Sequence, residues 1–266
     1  MRFIEVLETT GRAAKCVGKG TAWLFSQVSP DIWRELGYIS LTSYSLLLPR
    51  REEVKDHGPD GFAPVVLVHG LGGNRGCWTP LRLFLRMNGR RRIYAYGYSG
   101  GTVEEIADGL KRFVDEVLAA TGESSVEIVA HSLGGVVSRY AIQRLGMADS
   151  VRSLITMATP HQGTYAARWA NTTLTRPLCP DSALMKDLAT DDLSLLPMKF
   201  VSIYSDRDVY VVPASMMTHP AAENILLPGL SHSQHLASTA VFRVVQSKLS
   251  PMDPAWGEAG ATVPVQ

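Results

Sequence analysis

From about residue 64 onward, short apolar runs alternate with segments of helical periodicity, a rhythm that few folds can satisfy. Pro64-Val65-Val66-Leu67-Val68 is apolar throughout, as a strand covered on both faces must be. A helix is expected from Pro80 to Met87 and a strand at Ile93–Tyr96. Val103, Ile106, Ala107, Leu110, Val114, Val117 and Leu118 then recur at helical spacing. Thr102 and Glu105 can form a capping box at the start of that helix, and Gly122 stops it. Further strands are expected at Val126–Ala130, Ser153–Met157, Phe200–Tyr204 and Asn224–Leu227. Helices are expected from the residues after Ala130 to Leu145 and from Leu236 to Leu249. Strand and helix in alternation predict an α/β fold, with a mostly parallel central sheet carrying helices on both faces.

Two glycine-rich segments fall at strand ends within this pattern. Ala130-His131-Ser132-Leu133-Gly134-Gly135 lies where a strand gives way to a helix. An α/β-hydrolase nucleophile elbow reads G-x-S-x-G, because small residues must flank a sharply turned serine. Ala130 replaces the first glycine, with little added bulk, and the competing role for Ser132 is that of a helix cap. Val68-His69-Gly70-Leu71-Gly72-Gly73 follows the first strand. In such a fold one N–H from this loop joins the N–H after the nucleophile to bind an oxyanion, which makes Leu71 and Leu133 the candidate donors. The missing third glycine at Arg75 and the lack of an acidic residue about twenty positions on argue against a dinucleotide site.

A serine nucleophile needs an imidazole base and an orienting acid, in the chain order Ser, acid, His. Asp206 and Asp208 both follow the Phe200–Tyr204 strand, and His232 and His235 both follow the last one. Asp149 precedes a strand and would lie at the wrong end of the sheet, while His219 comes too soon after the acid loop. His69 and His131 precede the acid and are read as supporting groups near the elbow.

From about Val65 to Leu249 the chain resembles the small bacterial triacylglycerol lipases and related esterases of the α/β-hydrolase fold. The resemblance rests on the loop at His69–Gly73, the elbow at Ala130–Gly135, Thr159-Pro160-His161-Gln162-Gly163-Thr164, and the acid and base loops. Similar lipases also carry Ala at the start of the elbow. Their acid is followed by apolar residues and often Pro, which implies Asp208, as in Asp208-Val209-Tyr210-Val211-Val212-Pro213. Their base loop reads Gly-x-x-His with apolar residues beyond it, which implies His232 in Gly229-Leu230-Ser231-His232; His235 departs from that apolar type. The implied activity is hydrolysis of carboxylic esters with apolar acyl groups, in lipid metabolism, with no cofactor and no metal. An acyltransferase with the same triad and a non-catalytic ligand-binding relative are the alternatives. The Pro-His-x-Gly turn implies a structural His161, and Arg139 and Tyr140 read as packing or salt-bridge residues.

The remaining features bound the rest. A formal net charge of +1 argues against nucleic acid as a partner, and Arg90-Arg91-Arg92 reads as a solvated strand entrance. Three dispersed cysteines, Cys16, Cys77 and Cys179, argue against a zinc site or disulfide framework. No signal peptide or membrane span is apparent, which points to the cytoplasm. Residues 1–60 fit the rhythm poorly and read as a helical extension carrying Trp23, Trp33 and Leu46–Leu48, with peripheral membrane contact as the alternative role. Residues 61–250 are assigned to the catalytic domain and 251–266 to a flexible tail. The stretch from Tyr165 to Pro197 is the place for a small lid or acyl pocket, if there is one.

Overall fold

A computed structural model describes residues 52–169 and 172–249. Most of the proposed extension and all of the proposed tail therefore lie outside the described residues, as does Cys16. Residues 52–60, which end that extension, carry no helix.

Six strands form one sheet: β1 (Val65–Val68), β2 (Ile93–Tyr96), β3 (Val126–His131), β4 (Val151–Met157), β5 (Lys199–Tyr204) and β6 (Glu223–Leu226). Their spatial order is β2-β1-β3-β4-β5-β6 and every pairing is parallel. The helices are α1 (Thr79–Met87), α2 (Val103–Thr121), α3 (Leu133–Arg144), α4 (Ala183–Leu188) and α5 (Thr239–Lys248). Alternate side chains of each strand go to opposite faces, so the sheet builds two cores. Val66, Val68, Ile128 and Ala130 pack with Leu110 and Val114 of α2 and Val136 and Val137 of α3. Val65, Leu67, Val129 and Ile155 pack with Leu81 and Leu85 of α1 and Val241, Phe242 and Val245 of α5. Burial on both faces is why these strands read as unbroken apolar runs.

The capping box at α2 forms as expected, with the Thr102 side chain accepting from Glu105 N and the Glu105 carboxylate accepting from Thr102 N. The final helix differs. A 3-10 turn at Ser233–Leu236 precedes α5, which begins only at Thr239 with Ser238 as its cap. Ser at an N-cap satisfies an otherwise free helical N–H, so the chain restarts there instead of running through.

The arginine run is also not the solvated entrance its composition suggests. Arg90 is buried against the equally buried Glu127 at 2.8 Å. Arg92, also buried, reaches Asp56 at 2.7 Å and Glu123 at 2.6 Å. Only Arg91 of the three is exposed. Residues 52–60 lie over this corner, with Glu52 held by Arg82, and a covered cation requires carboxylate partners. Removing one partner of a buried pair strands the other charge, so Glu127→Ala is expected to cost about 3–5 kcal/mol. A urea midpoint unchanged from the parent protein would refute this.

Strand order places the site. The chain moves from β1 outward to β2, then returns across β1 to β3. The crevice outside the carboxyl ends of β1 and β3 is thus a topological switch point, where open α/β sheets receive ligands.

Candidate active site

Ser132 stands at that switch point, between the end of β3 and the first turn of α3. Its backbone has φ 54 and ψ −124 and its side chain makes no cap hydrogen bond to the helix. A capping serine would adopt extended backbone angles and accept from the first turn. The structure thus removes the capping role and leaves a strained turn, a conformation costing about 1–3 kcal/mol that persists only where its surroundings enforce it. Enforcement is visible on three sides. Ser132 N donates to Met157 O at 2.9 Å, which ties the turn to β4. A Cβ on Gly134 would run into the carbonyl oxygens of Val68 and His69, and one on Gly135 into the Thr159 side chain. A Cβ on Gly70 would stand 2.9 Å from that of Ser132. Gly70 and Gly134 are therefore required by close approach of the elbow to the loop after β1.

The candidate oxyanion donors occupy the two sides of this contact. Leu133 is the first residue of α3, where a helix presents unbonded N–H groups and the positive end of its dipole. Leu71 follows Gly70 in a turn closed by Gly73 N donating to Gly70 O at 3.1 Å, and its side chain is half exposed. His69 lies beneath the turn, its Nδ1 2.9 Å from Gly70 O and its ring stacked on Tyr98 at 4.1 Å. Burial lowers the His69 pKa to about 4. Unfolding restores an ordinary imidazole, so its stabilising contribution is complete above pH 6.5 and is lost as pH falls toward 4. Between pH 7 and pH 5 the loss from this one group is about 2 kcal/mol. His69→Gln should flatten the pH dependence of urea stability by that amount, and an identical slope in the variant would contradict the assignment.

Of the two acid candidates, the structure brings Asp208 to the imidazole of His232. Asp208 Oδ2 lies 2.7 Å from His232 Nδ1, while Oδ1 accepts from Tyr210 N at 2.8 Å and Val211 N at 2.9 Å. Burial of Asp208 pushes its pKa up, but the His232 imidazole and the two N–H donors outweigh it and hold the carboxyl below its ordinary value. Asp206 is exposed and serves differently: it accepts from Gly229 N at 2.7 Å and fastens the base loop from outside. Of the two imidazole candidates, His235 is fully buried and turned toward its own backbone, with Nδ1 3.1 Å from both Ser231 O and His232 O. His131, adjacent to Ser132, reaches the base loop, its Nε2 3.1 Å from His232 O and its ring 4.7 Å from that of His232. Sequence reasoning missed both contacts, because nothing in residue spacing reveals which carbonyl a buried imidazole will find.

The remaining histidines lie elsewhere. His161 is buried with Nε2 2.9 Å from Thr156 Oγ1, and its carbonyl accepts from the Arg139 guanidinium at 2.8 Å. Arg139 also donates to Leu188 O at 2.6 Å, so it braces α3 against this turn and α4. His219 packs on Phe200, away from the acid. Among the described residues no cluster suited to a metal is present and no helix is long and apolar enough to cross a membrane. Cys77 and Cys179 are both thiols.

In the stretch from Tyr165 to Pro197, Leu178, Leu184, Met185 and Leu188 are buried in the core beside α3. Much of its apolar content therefore fills the fold and does not line a pocket. Trp169, by contrast, is 92% exposed. Leu71, Tyr165 and Tyr210 are half exposed, and the Tyr210 ring lies 5.1 Å from that of His232.

Residues 63–178 match the family model described as "Putative serine esterase (DUF676)". Triacylglycerol lipases of Pseudarthrobacter phenanthrenivorans and Burkholderia plantarii are each 34% identical over 114 residues, 39% of this chain. The match spans about a third of their length, 35% and 31% respectively. Among solved structures, the mature form of Bacillus licheniformis lipase BlEst2 superposes with a TM-score of 0.65 at 18% identity, covering 74% of this chain and 96% of that one. Phospholipase PlaB of Legionella pneumophila gives 0.60 at 16% identity, covering 74% and 62%. The fold is the α/β-hydrolase fold; residues 63–178 are similar in sequence to the family of putative serine esterases, and 114 residues of the chain to triacylglycerol lipases.

Proposed function

We propose that the chain is a serine hydrolase that cleaves carboxylic esters through an acyl-enzyme, with Ser132 as nucleophile, His232 as base and Asp208 as orienting acid. The observation that carries this reading is the strained Ser132 turn at the switch point, with a buried Asp208–His232 pair 2.7 Å apart fastened to the neighbouring residue His131. His232 takes the Ser132 proton as the oxygen attacks the ester carbonyl. The N–H groups of Leu71 and Leu133 hold the oxyanion, and loss of one such donor typically costs about 10²–10³ in rate. His232 returns the proton to the leaving alcohol, then activates water to release the acid. Asp208 keeps the Nδ1–H tautomer and stabilises the imidazolium. Half-exposed Tyr210, its ring 5.1 Å from that of His232, and half-exposed Leu71 in the loop after β1 favour apolar acyl groups, and similarity to proteins named triacylglycerol lipases supports the same reading.

The test is hydrolysis of p-nitrophenyl esters from acetyl to palmitoyl, with covalent labelling by a fluorophosphonate. Turnover of at least the shorter esters and labelling confined to Ser132 are expected. Absence of both in a folded preparation would sink the proposal.

A further inference from the structure

The carbonyl oxygen of His232 is met by two imidazoles from different parts of the fold. His131 Nε2 lies 3.1 Å from it and comes from the end of β3, one residue before Ser132. His235 Nδ1 lies 3.1 Å from it and comes from the 3-10 turn that follows the base. A carbonyl oxygen only accepts, so each of these nitrogens carries the proton in its bond, and the oxygen's two lone pairs are matched to two N–H donors. Both rings are buried. Burial disfavours the charged form of both: it holds His131 well below the ordinary histidine value and lowers His235 as well.

We propose that His131 and His235 form a two-imidazole clamp that positions the base against the nucleophile. His131 is the nearer half of the link, because its backbone is continuous with the elbow. The bond from its ring to the His232 carbonyl therefore sets the separation of elbow and base loop directly. His235 holds the same oxygen from the other side, and its second contact, to Ser231 O at 3.1 Å, fixes the turn at the base. The uncharged form, which burial favours, suits this place. A cation here would oppose the imidazolium that His232 must become in each cycle, whereas two neutral donors orient the loop without that repulsion. The inference rests on the triad reading above.

His235 offers an unusual handle. Its Nε2 is buried and has no hydrogen-bond partner among the described residues. A buried polar atom left unsatisfied carries a desolvation penalty that an apolar side chain of similar size does not. His235→Leu removes that unsatisfied nitrogen but also the donor to Ser231 O and His232 O, so the two stability effects oppose each other and the melting temperature should move little while kcat falls several-fold. A residue that mattered only to the fold would lower both together.

His131→Phe keeps a ring and removes the donor. Misplacement of a reacting group by about 1 Å can cost about 10²-fold, and a fall of that order in kcat on p-nitrophenyl butyrate is expected, with KM changed far less. His131→Gln, which restores an N–H donor, should recover at least tenfold of the loss. The acid limb of the kcat/KM profile should move to lower pH in His131→Phe. A base held less closely to Asp208 has a less stabilised cation, and Tyr210, His131 and His235 are the other titratable groups facing it. The clamp is overturned if folded His131→Phe and His235→Leu both keep kcat within twofold with the acid limb in place. It is equally overturned if His235→Leu loses stability in proportion to activity. Ser132→Ala, measured alongside, separates the two ideas. If it stays active, the triad reading fails and takes the clamp with it; if it is inactive while both clamp variants are unimpaired, only the clamp fails.

Discussion

Ser132→Ala is expected to lower kcat on any ester the protein turns over by about 10⁶-fold, the scale of loss when a serine nucleophile is removed from an intact triad. The proposed oxyanion donors, Leu71 and Leu133 N–H, remain, so some catalysis above the uncatalysed rate should survive. The variant should still fold, because only one oxygen is lost and the side chain makes no cap bond to α3. Ser132→Gly sharpens the point. Glycine takes φ 54 without the penalty that any Cβ incurs there, so the variant should gain about 1 kcal/mol of stability while being as inactive as the alanine. Paired urea titrations and ester assays on the two variants check both claims. Retention of more than a hundredth of the parent rate by either would remove Ser132 from the chemistry.

Asp208→Asn carries the second large effect, a fall in kcat of about 10⁴-fold. Asparagine can still accept from Tyr210 N and Val211 N, which now bond Oδ1, so the acid loop should keep its shape. What changes is the atom facing His232 Nδ1 at 2.7 Å. An amide offers no charge to the imidazolium, and if its NH₂ faces the ring it selects the tautomer whose Nε2–H cannot take the serine proton. Asp206→Asn is the matched control. Its partner is Gly229 N on the outside of the base loop, so it should cost less than tenfold. If the two substitutions had equal effects, the acid would have to be reassigned or shared.

The contrast between these two aspartates shows where a one-dimensional reading stops. Their positions after β5 made both candidates, and only family resemblance favoured Asp208. In three dimensions Asp208 is buried beside the imidazole, whereas Asp206, two residues earlier, turns outward. The arginine run marks the same boundary. Arg90 and Arg92 look like surface charges until residues 52–60 cover them and Glu127, Asp56 and Glu123 supply the counter-charge. Charges that pair across about thirty residues or more leave no periodic trace. The closing helix failed for a local reason: apolar spacing runs through Ser238, but that side chain caps a new helix.

Ser132 was legible because its constraints are local. A buried parallel strand must be apolar, a helix must follow, and small residues must stand where the turn approaches its neighbours, so strand, elbow and glycine loop are written in consecutive residues. The order β2-β1-β3 that brings the two glycine loops into one crevice belongs to the tertiary structure, because alternation of strands and helices does not say on which side of β1 each later strand is added. Tertiary structure alone decided which carboxylate meets which imidazole, and that His131 and His235 converge on one carbonyl oxygen. Those pairings join segments about a hundred residues apart in the case of His131 and His232. They depend on the angle at which each loop leaves the sheet, and on the rule that a buried polar group must find a partner within reach.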